Sequence, residues 1–523
     1  MKYGNIRQFK MAASFRSKEI ITFQVGNYSN EVGAHFWNLQ EKNFKGDSFY
    51  NEIRHDMLHR NSLNYGNGQV NYTPRVISFD LKDNISRLAD ENAAKMSEES
   101  IAWDGAVDTY CNENIFTEKP GQENGVVACK GYSWLDFIHP TFHEKSLVTV
   151  ENLSNEYYRS FDAFAVGENL FSSLKFRNEV EDKIHYFAEE CDQLQGFQIF
   201  SHVNDGFGGL TSCLMQELCD DFEKKNCLCF SLMPAIINDE TRQGKDQAML
   251  NTLLSLAKFI DNGSHVVPLM MRDSLEYSYK SREFSYLHYK ANNFDTSAIL
   301  ASAIDTSTLA YRLSHSQSDM HMLLHHLSCG GRKVSSLSLA LPIPLSSTTP
   351  FVDIFQKKEL VTPLTPDISS DHNYLCKSTV VRGIPSHLLK SEESSLLVKK
   401  MSAITQYQSS LGHYCPSYVA QTPCFTSDPF PKIFKSMVTQ VGCVIEDYIR
   451  PSQTNVERIS VLANLVNTED IAKPLNVLLK GTDKPKVKRY PQYFEGSVEE
   501  TDIESYRENI NSLIQNYNSL YNI

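Results

Sequence analysis

Two glycine-bearing turns hold the residues whose types and spacing best suit chemistry. Gly26-Asn27-Tyr28-Ser29-Asn30 follows an alternating β-branched and aromatic stretch, Glu19 to Val25, and Asp205-Gly206-Phe207-Gly208-Gly209 follows FQIFSHV at 197–203. A turn of this kind before a helix offers backbone N–H groups to an anion, and glycine lets a phosphate come close because no Cβ stands in the way. His321 and His325 stand four apart, with Asp319 and His326 nearby. That spacing can set two imidazoles on one helix face for a metal. Without the glutamate of an H-E-x-x-H motif they read as ordinary surface and interface histidines, and no metal site is expected. Lys484, Lys486, Lys488 and Arg489 form a short basic run beside Pro485. It reads as a solvated loop, with peripheral contact to anionic lipid head groups as the alternative. The sequence has no Walker A motif, G-x-S-x-G elbow or kinase loop, so other enzyme classes have no support.

The elements that must position these turns follow from periodicity. Strands are expected at 19–25, at VISFDL (76–81) and at 197–203, with helices from Glu31 to about Gln40 and from Leu210 to about Lys224. Strands alternating with helices predict a parallel α/β sheet whose loops gather at the strand C-terminal ends. Residues 84–130 are polar and acidic and read as an exposed helix and loop excursion. Ser297 to Leu313 carries small and apolar residues at helical spacing, the pattern of a long buried helix leading into a second domain. Serine, threonine and proline at 346–350 and 363–370 mark loops, and Thr501 to Tyr521 reads as an amphipathic terminal helix.

With 523 residues, 41% of them apolar, the chain is long enough for two or three cores. A formal net charge of −13 repels nucleic-acid phosphates, so no nucleic-acid partner is expected. The twelve cysteines are scattered, the closest pair being Cys227 and Cys229, and they read as reduced thiols of a cytoplasmic protein. The apolar stretch Leu337 to Leu345 is about half the length a bilayer needs, so no transmembrane segment is expected. Residues 1–18 hold Lys2, Arg7, Lys10, Arg16 and Lys18 with no acid. This basic extension reads as a mobile arm or an alternative start at Met11, with a transit peptide as the less favoured reading.

The run KEIITFQVGNYSNEVGAHFWN (Lys18 to Asn38) resembles the opening strand, first phosphate loop and first helix of tubulins. ECDQLQGFQIFSHVNDGFGGL (Glu190 to Leu210) resembles the strand leading to the tubulin signature glycine loop, and TPRVISFDL (Thr73 to Leu81) the second-loop strand. Ile260-Asp261-Asn262 sits where tubulins carry a guanine-contacting asparagine, and LCKSTVVRGIP (Leu375 to Pro385) resembles a strand of the intermediate domain. ISVLANLVNTEDIAKPL (Ile459 to Leu475) with FEGSVEETDIESYRENI (Phe494 to Ile510) resembles the C-terminal helical hairpin. Within the tubulin superfamily, the VGAHFWN-type first helix and the glycine-poor signature loop are similar to the Misato family. The resemblance implies a tubulin-like α/β fold: a Rossmann-type domain at 19–262, a core helix and intermediate α/β domain at 263–450, and a C-terminal helical region at 451–523.

The departures from tubulins bear on function. Where tubulins supply GGGTGSG this chain has NDGFGGL: Asn204 and Asp205 replace two glycines, and Phe207 and Leu210 add bulk, so an acid and a ring are expected to face the phosphate place. Glu31 and Tyr28 stand where tubulins have uncharged or small residues. With Arg332 aligned to the arginine that ends the tubulin hydrolytic segment, Asp319 keeps the aspartate but Met322 stands at the glutamate, and a thioether cannot polarise water. Asp80 is retained, while Lys82 replaces an acid on the magnesium side. Gly26, Asn27, Tyr28, Asn30, Asp80, Lys82, Gly206, Gly208, Gly209 and Asn262 are thus expected to form a vestigial nucleotide site with no catalytic residue and no resident cofactor, GTP binding being the alternative. If the pocket is empty, Asn262 reads as a helix cap. The resemblance implies a non-catalytic cytoplasmic protein associated peripherally with mitochondria, acting in their distribution, morphology and inheritance through protein partners at the outer membrane. A GTP-binding switch without fast hydrolysis and a tubulin-assembly or spindle factor, with tubulin as partner, are the alternatives.

Overall fold

A computed structural model describes residues 18–45, 52–63, 70–82, 84–85, 133–151, 161–235, 241–276, 281–316, 318–345, 360–368, 374–384, 399, 414–483, 490, 493 and 499–519. All of the basic N-terminal extension but Lys18, nearly all of the acidic excursion at 84–130, the loop at 346–350 and the basic run at 484–489 lie outside these residues.

The first domain is built on β1 (Ile20–Val25), α1 (Asn27–Lys45), the hairpin β2 (His59–Leu63) and β3 (Val70–Pro74), β4 (Val76–Leu81) and β5 (Leu147–Val150). It continues through α2 (Phe164–Phe171), α3 (Leu174–Glu189), β6 (Gly196–His202), α4 (Gly206–Asp221), β7 (Asn226–Met233), α5 (Arg242–Asp261) and β8 (His265–Met270). The six strands run parallel in the order β5-β4-β1-β6-β7-β8. Every residue of β1, β6 and β8 is buried, as expected for strands covered on both faces. From β1 the chain first builds outward through β4 and β5 and then returns to add β6, β7 and β8 on the other side. The order therefore reverses at the β1–β6 pair, where a doubly wound sheet opens a crevice at its strand C-terminal ends. Both glycine turns leave from that pair.

Both helices start earlier than periodicity predicts. α1 begins at Asn27, since Gly26 alone, at φ +100°, turns the chain. α4 begins at Gly206, since Asp205 caps it. The core helix α6 (Asn293–Arg312) is buried from Thr296 to its end between α1 and a second sheet. α7 (Met320–Leu327) follows, with its N-terminus beside the start of β6.

The second sheet is mixed, in the order β10-β9-β15-β11-β12: β9 (Ser336–Ala340), β10 (Thr362–Pro363), β11 (Tyr374–Arg382), β12 (Ser417–Ala420) and β15 (Val461–Thr468). β13 (Cys424–Phe425) pairs with β14 (Arg458–Ile459) beside it. Here a sequence reading is corrected. The stretch Ile459 to Leu475, assigned to a helical hairpin, contains β15, which lies between β9 and β11 in antiparallel pairing with both. Only α8 (Ala472–Gly481) and α9 (Glu500–Asn518) are long C-terminal helices among the described residues, and both pack on α5. Tyr517 anchors α9, its hydroxyl donating to the Val334 carbonyl at 2.6 Å and accepting from the Val334 N–H at 3.1 Å.

Candidate functional site at the β1–β6 crevice

Gly26 holds the first turn: its N–H donates to the Phe79 carbonyl (3.1 Å) and its carbonyl accepts from the Asn30 N–H (3.0 Å). A Cβ on Gly26 would stand 2.8 Å from His202 Cβ and 2.9 Å from the Phe207 ring. The Phe207 ring thus lies directly on the backbone that glycine leaves open. It is buried, with its centroid 4.8 Å from that of Phe161.

The first N–H groups of α4, the natural anion donors of such a helix, have partners within the chain. The Gly206 N–H donates to the Phe161 carbonyl (3.2 Å) and the Gly208 N–H to the Asp205 carbonyl (3.2 Å). The Phe207 N–H donates to Asp205 Oδ1 (2.9 Å). The glycines serve close packing. A Cβ on Gly206 would meet the Phe161 ring at 2.9 Å, one on Gly208 the Ser255 hydroxyl at 2.1 Å, and one on Gly209 the Phe164 carbonyl at 1.9 Å. The contact is reciprocal, since a Cβ on Gly167 of α2 would stand 1.8 Å from the Gly206 carbonyl.

A buried polar cluster fills the rest of the crevice. Asn27 Nδ2 donates to Glu31 Oε1 (3.2 Å), and Asn30 Nδ2 donates to the Phe79 carbonyl (3.0 Å) and Asp80 Oδ2 (3.3 Å). Asp80 also accepts from the Trp134 indole (2.7 Å), the Leu81 N–H (2.8 Å) and Asn84 Nδ2 (2.8 Å). Burial raises the Asp80 carboxyl above its usual range against the pull of these donors. Burial also pushes Glu31 up to about 7, with Asp80 adding to the rise and Asn293, His202 and Asn27 opposing it. His202 Nδ1 lies 3.0 Å from Asp205 Oδ2. Burial lowers the His202 imidazole, but Asp205, with Glu31 and Asp80 behind it, outweighs burial and raises it on balance. The Tyr28 hydroxyl, raised by burial, donates to Thr296 Oγ1 of the core helix (3.1 Å).

Of the residues singled out from sequence, the crevice brings together Gly26, Asn27, Tyr28, Asn30, Asp80 and Gly206, with Gly208 and Gly209 in the first turn of α4. Lys82 is exposed, its Nζ 4.0 Å from Glu151. Asn262 is corrected: it ends α5 and precedes β8, at the edge where the parallel strands begin, opposite the edge carrying Gly26 and Gly206. It stands at the helix C-terminus, its Nδ2 donating to the Ser212 carbonyl (3.0 Å), and does not reach the crevice. Asp319 caps α7 through the Met322 N–H (2.8 Å) and pairs with Lys18 (2.6 Å), while Met322 is exposed. The His321 and His325 rings are stacked with centroids 6.1 Å apart, and His326 stacks on Tyr414. Sequence reasoning missed His202, Trp134, Asn293 and Thr296. His202 carried a local signal, standing three residues before Asp205; the others reach the crevice from distant segments.

Family comparison agrees with this architecture. Residues 18–123 match the Misato Segment II tubulin-like domain, and residues 128–313 match a tubulin domain. The chain is similar to the Misato family of tubulin-like proteins along nearly its whole length. It is 28% identical to protein misato homolog 1 of Mus musculus, over 96% of this chain and 98% of that protein. Protein misato of Drosophila melanogaster is 24% identical over 94% of this chain and 96% of its own length. Protein DML1 of Gibberella zeae is 28% identical over 62% of this chain and 67% of its own length.

Proposed function

We propose that this protein is a non-catalytic, nucleotide-independent member of the tubulin fold that acts through its surfaces. On the Misato resemblance, it supports the distribution, morphology and inheritance of mitochondria by recruiting partners at their cytoplasmic face. Fold alone does not give this function, so the weight rests on the crevice. The carrying observation is Asp205: its carboxylate accepts from the first turn of α4, where a phosphate would have to bind. Phe207 against Gly26 and the buried carboxyls of Glu31 and Asp80 support the same reading, because an incoming triphosphate would meet a ring and acidic groups in place of cations or free N–H donors. The residues present do not fit a nucleoside triphosphate with magnesium.

Denaturing extraction of the purified full chain, followed by calorimetry with GTP with and without magnesium, tests the nucleotide half. The expected result is no stoichiometric guanine nucleotide and no saturable heat; tight binding would instead establish the switch reading. Depleting the protein from cells and imaging mitochondria tests the other half. Clustered or fragmented mitochondria, restored by the intact chain and by an Asp319→Ala chain, are expected, and unaltered mitochondria would refute the assignment. Binding to tubulin is a second reading, favoured by the tubulin-like fold, and co-sedimentation with tubulin reads it directly.

A further inference from the structure

The connection from β13 to β14 folds back over the first part of the chain and carries an apolar surface. Its inner side is anchored: Phe434 bridges to Leu287, the His288 N–H donates to the Ile433 carbonyl (2.7 Å) and the Lys435 N–H to the Tyr286 carbonyl (3.0 Å). Beyond this anchor, residues 438–450 stand as a tied loop. Val438 and Val444 pair antiparallel, the Thr439 N–H donates to the Cys443 carbonyl (2.9 Å), and Gly442 turns the chain at φ +81°. The Glu457 N–H donates to the Gln440 carbonyl (2.9 Å), and a Cβ on Gly442 would stand 2.4 Å from the Arg458 carbonyl, so β14 backs the loop closely. The Ile445 N–H donates to the Met437 carbonyl (3.1 Å) and the Arg450 N–H to the Ser436 carbonyl (2.9 Å). Arg450 closes the base, its guanidinium donating to the Val438 (2.8 Å) and Phe434 (2.9 Å) carbonyls.

Outward, this loop exposes Val441 (49%), Ile445 (50%) and Ile449 (80%). They are three of the five exposed large apolar side chains among the described residues, the others being Leu174 and Met322. Aliphatics exposed singly are ordinary, but a group of them on a loop too well tied to turn inward marks a contact surface. Glu446 and Asp447, both exposed, stand between Ile445 and Ile449 in the chain, and neither has a hydrogen bond or ion pair among the described residues. The other charged residue of the loop, Arg450, is spent on carbonyls. We propose that residues 441–449 dock a cationic amphipathic segment of a partner protein, whose aliphatic side chains cover Val441, Ile445 and Ile449 and whose lysines or arginines meet Glu446 and Asp447. The inference rests on the reading that the chain acts through its surfaces, and it names one of them. Charge selects this occupant. Anionic lipid head groups would be repelled by the two carboxylates. A second copy in a two-fold contact would set the patch against itself and bring like charges together. A basic partner instead gains from both acids while the aliphatic groups leave water.

Fluorescence anisotropy on the full chain reads the proposal, with a labelled leucine–lysine amphipathic helix as probe and its leucine–glutamate counterpart as control. Saturable binding of the lysine probe alone is expected. A chain carrying Ile445→Ser and Ile449→Ser should bind it about tenfold more weakly, as should one carrying Glu446→Lys and Asp447→Lys, while a Leu174→Ser chain binds as the parent does. All five side chains are exposed, and unchanged urea midpoints check that each variant is folded. Equal binding by the parent and both loop variants, or none by the parent, overturns the proposal. Sedimentation velocity and flotation with phosphatidylserine vesicles read the other occupants. Self-association that the serine chain loses would give the surface to a second copy, and vesicle binding that it loses would give it to lipid; either result overturns the proposal. GTP calorimetry and mitochondrial imaging report on the earlier reading and probe binding on the loop, so the two fail separately.

Discussion

Asp205 does two jobs with one carboxylate, accepting from the Phe207 N–H and facing His202. Its replacement by alanine removes an N-terminal cap and the partner of a buried imidazole, and should cost about 1–2 kcal/mol in urea unfolding. The same Asp205→Ala chain should show no new affinity for GTP in calorimetry, because Phe207 still lies on Gly26 and Glu31 is still buried. Glu31 gives the site a pH signature. Its folded value of about 7 lies above the ordinary 4.5 of a glutamate, so between the two the folded chain holds a proton that the unfolded chain has released. This term therefore stabilises the fold below about pH 4.5 and is lost as pH rises toward 7. A Glu31→Gln chain lacks that loss and should be more stable than the parent at about pH 8, by on the order of 2–3 kcal/mol, with the difference vanishing near about pH 4.5. Urea midpoints at the two pH values check it.

Between elements, the tie that joins the core helix to the second sheet is ionic. Asp305 of α6 accepts from Arg312 of the same helix (2.6 Å) and from Arg382 of β11, and all three side chains are 1–2% exposed. Arg382 continues to the Thr422 and Pro423 carbonyls. An Asp305→Ala chain leaves two guanidinium groups buried without their carboxylate and should lose about 3–5 kcal/mol in denaturant unfolding. Arg382→Met, which removes one charge and keeps bulk, should cost less. Of the first sheet, β1, β4 and β6 were legible at this scale because they are short apolar runs, two of them followed by glycine turns, whereas β5, β7 and β8 were not predicted. β15 was not: VLANLVNT sets small, polar and apolar residues in no clean period, and its pairing with β9 and β11 decides the matter. The same limit explains the crevice. Gly26, Asn30 and Asp80 were legible from their turns and strand, whereas Trp134 and Thr296 arrive through chain topology, and Asn262 matched a three-residue string on the wrong side of the sheet.

Across the whole molecule, the buried histidines set its response to acid. Burial lowers His35 and His265 to about 3 and His55 to about 4, and holds His59 well below 6.5. Each is neutral when folded, and the unfolded chain takes up its proton below about pH 6.5. Stability is therefore intact above that value and lost as pH falls toward the folded values, by about 1.4 kcal/mol per group and pH unit. Glu31, Asp80 and His202, all raised in the fold, work in the opposite sense but are fewer than the four lowered histidines. The urea midpoint should thus drop markedly between about pH 7.5 and about pH 5.5, a loss that a His265→Gln chain should reduce. The packing of α2 on α4 carries a different message, for genetics. The glycines of the signature turn sit within contact of Phe161, Phe164 and Ser255, so Gly209→Ala would push two helices apart. An allele of that kind would lower the amount of protein in a cell, and its phenotype would copy a deletion. Alleles meant to separate one role from another belong on exposed positions such as His321 and Met322, where a change leaves the protein present.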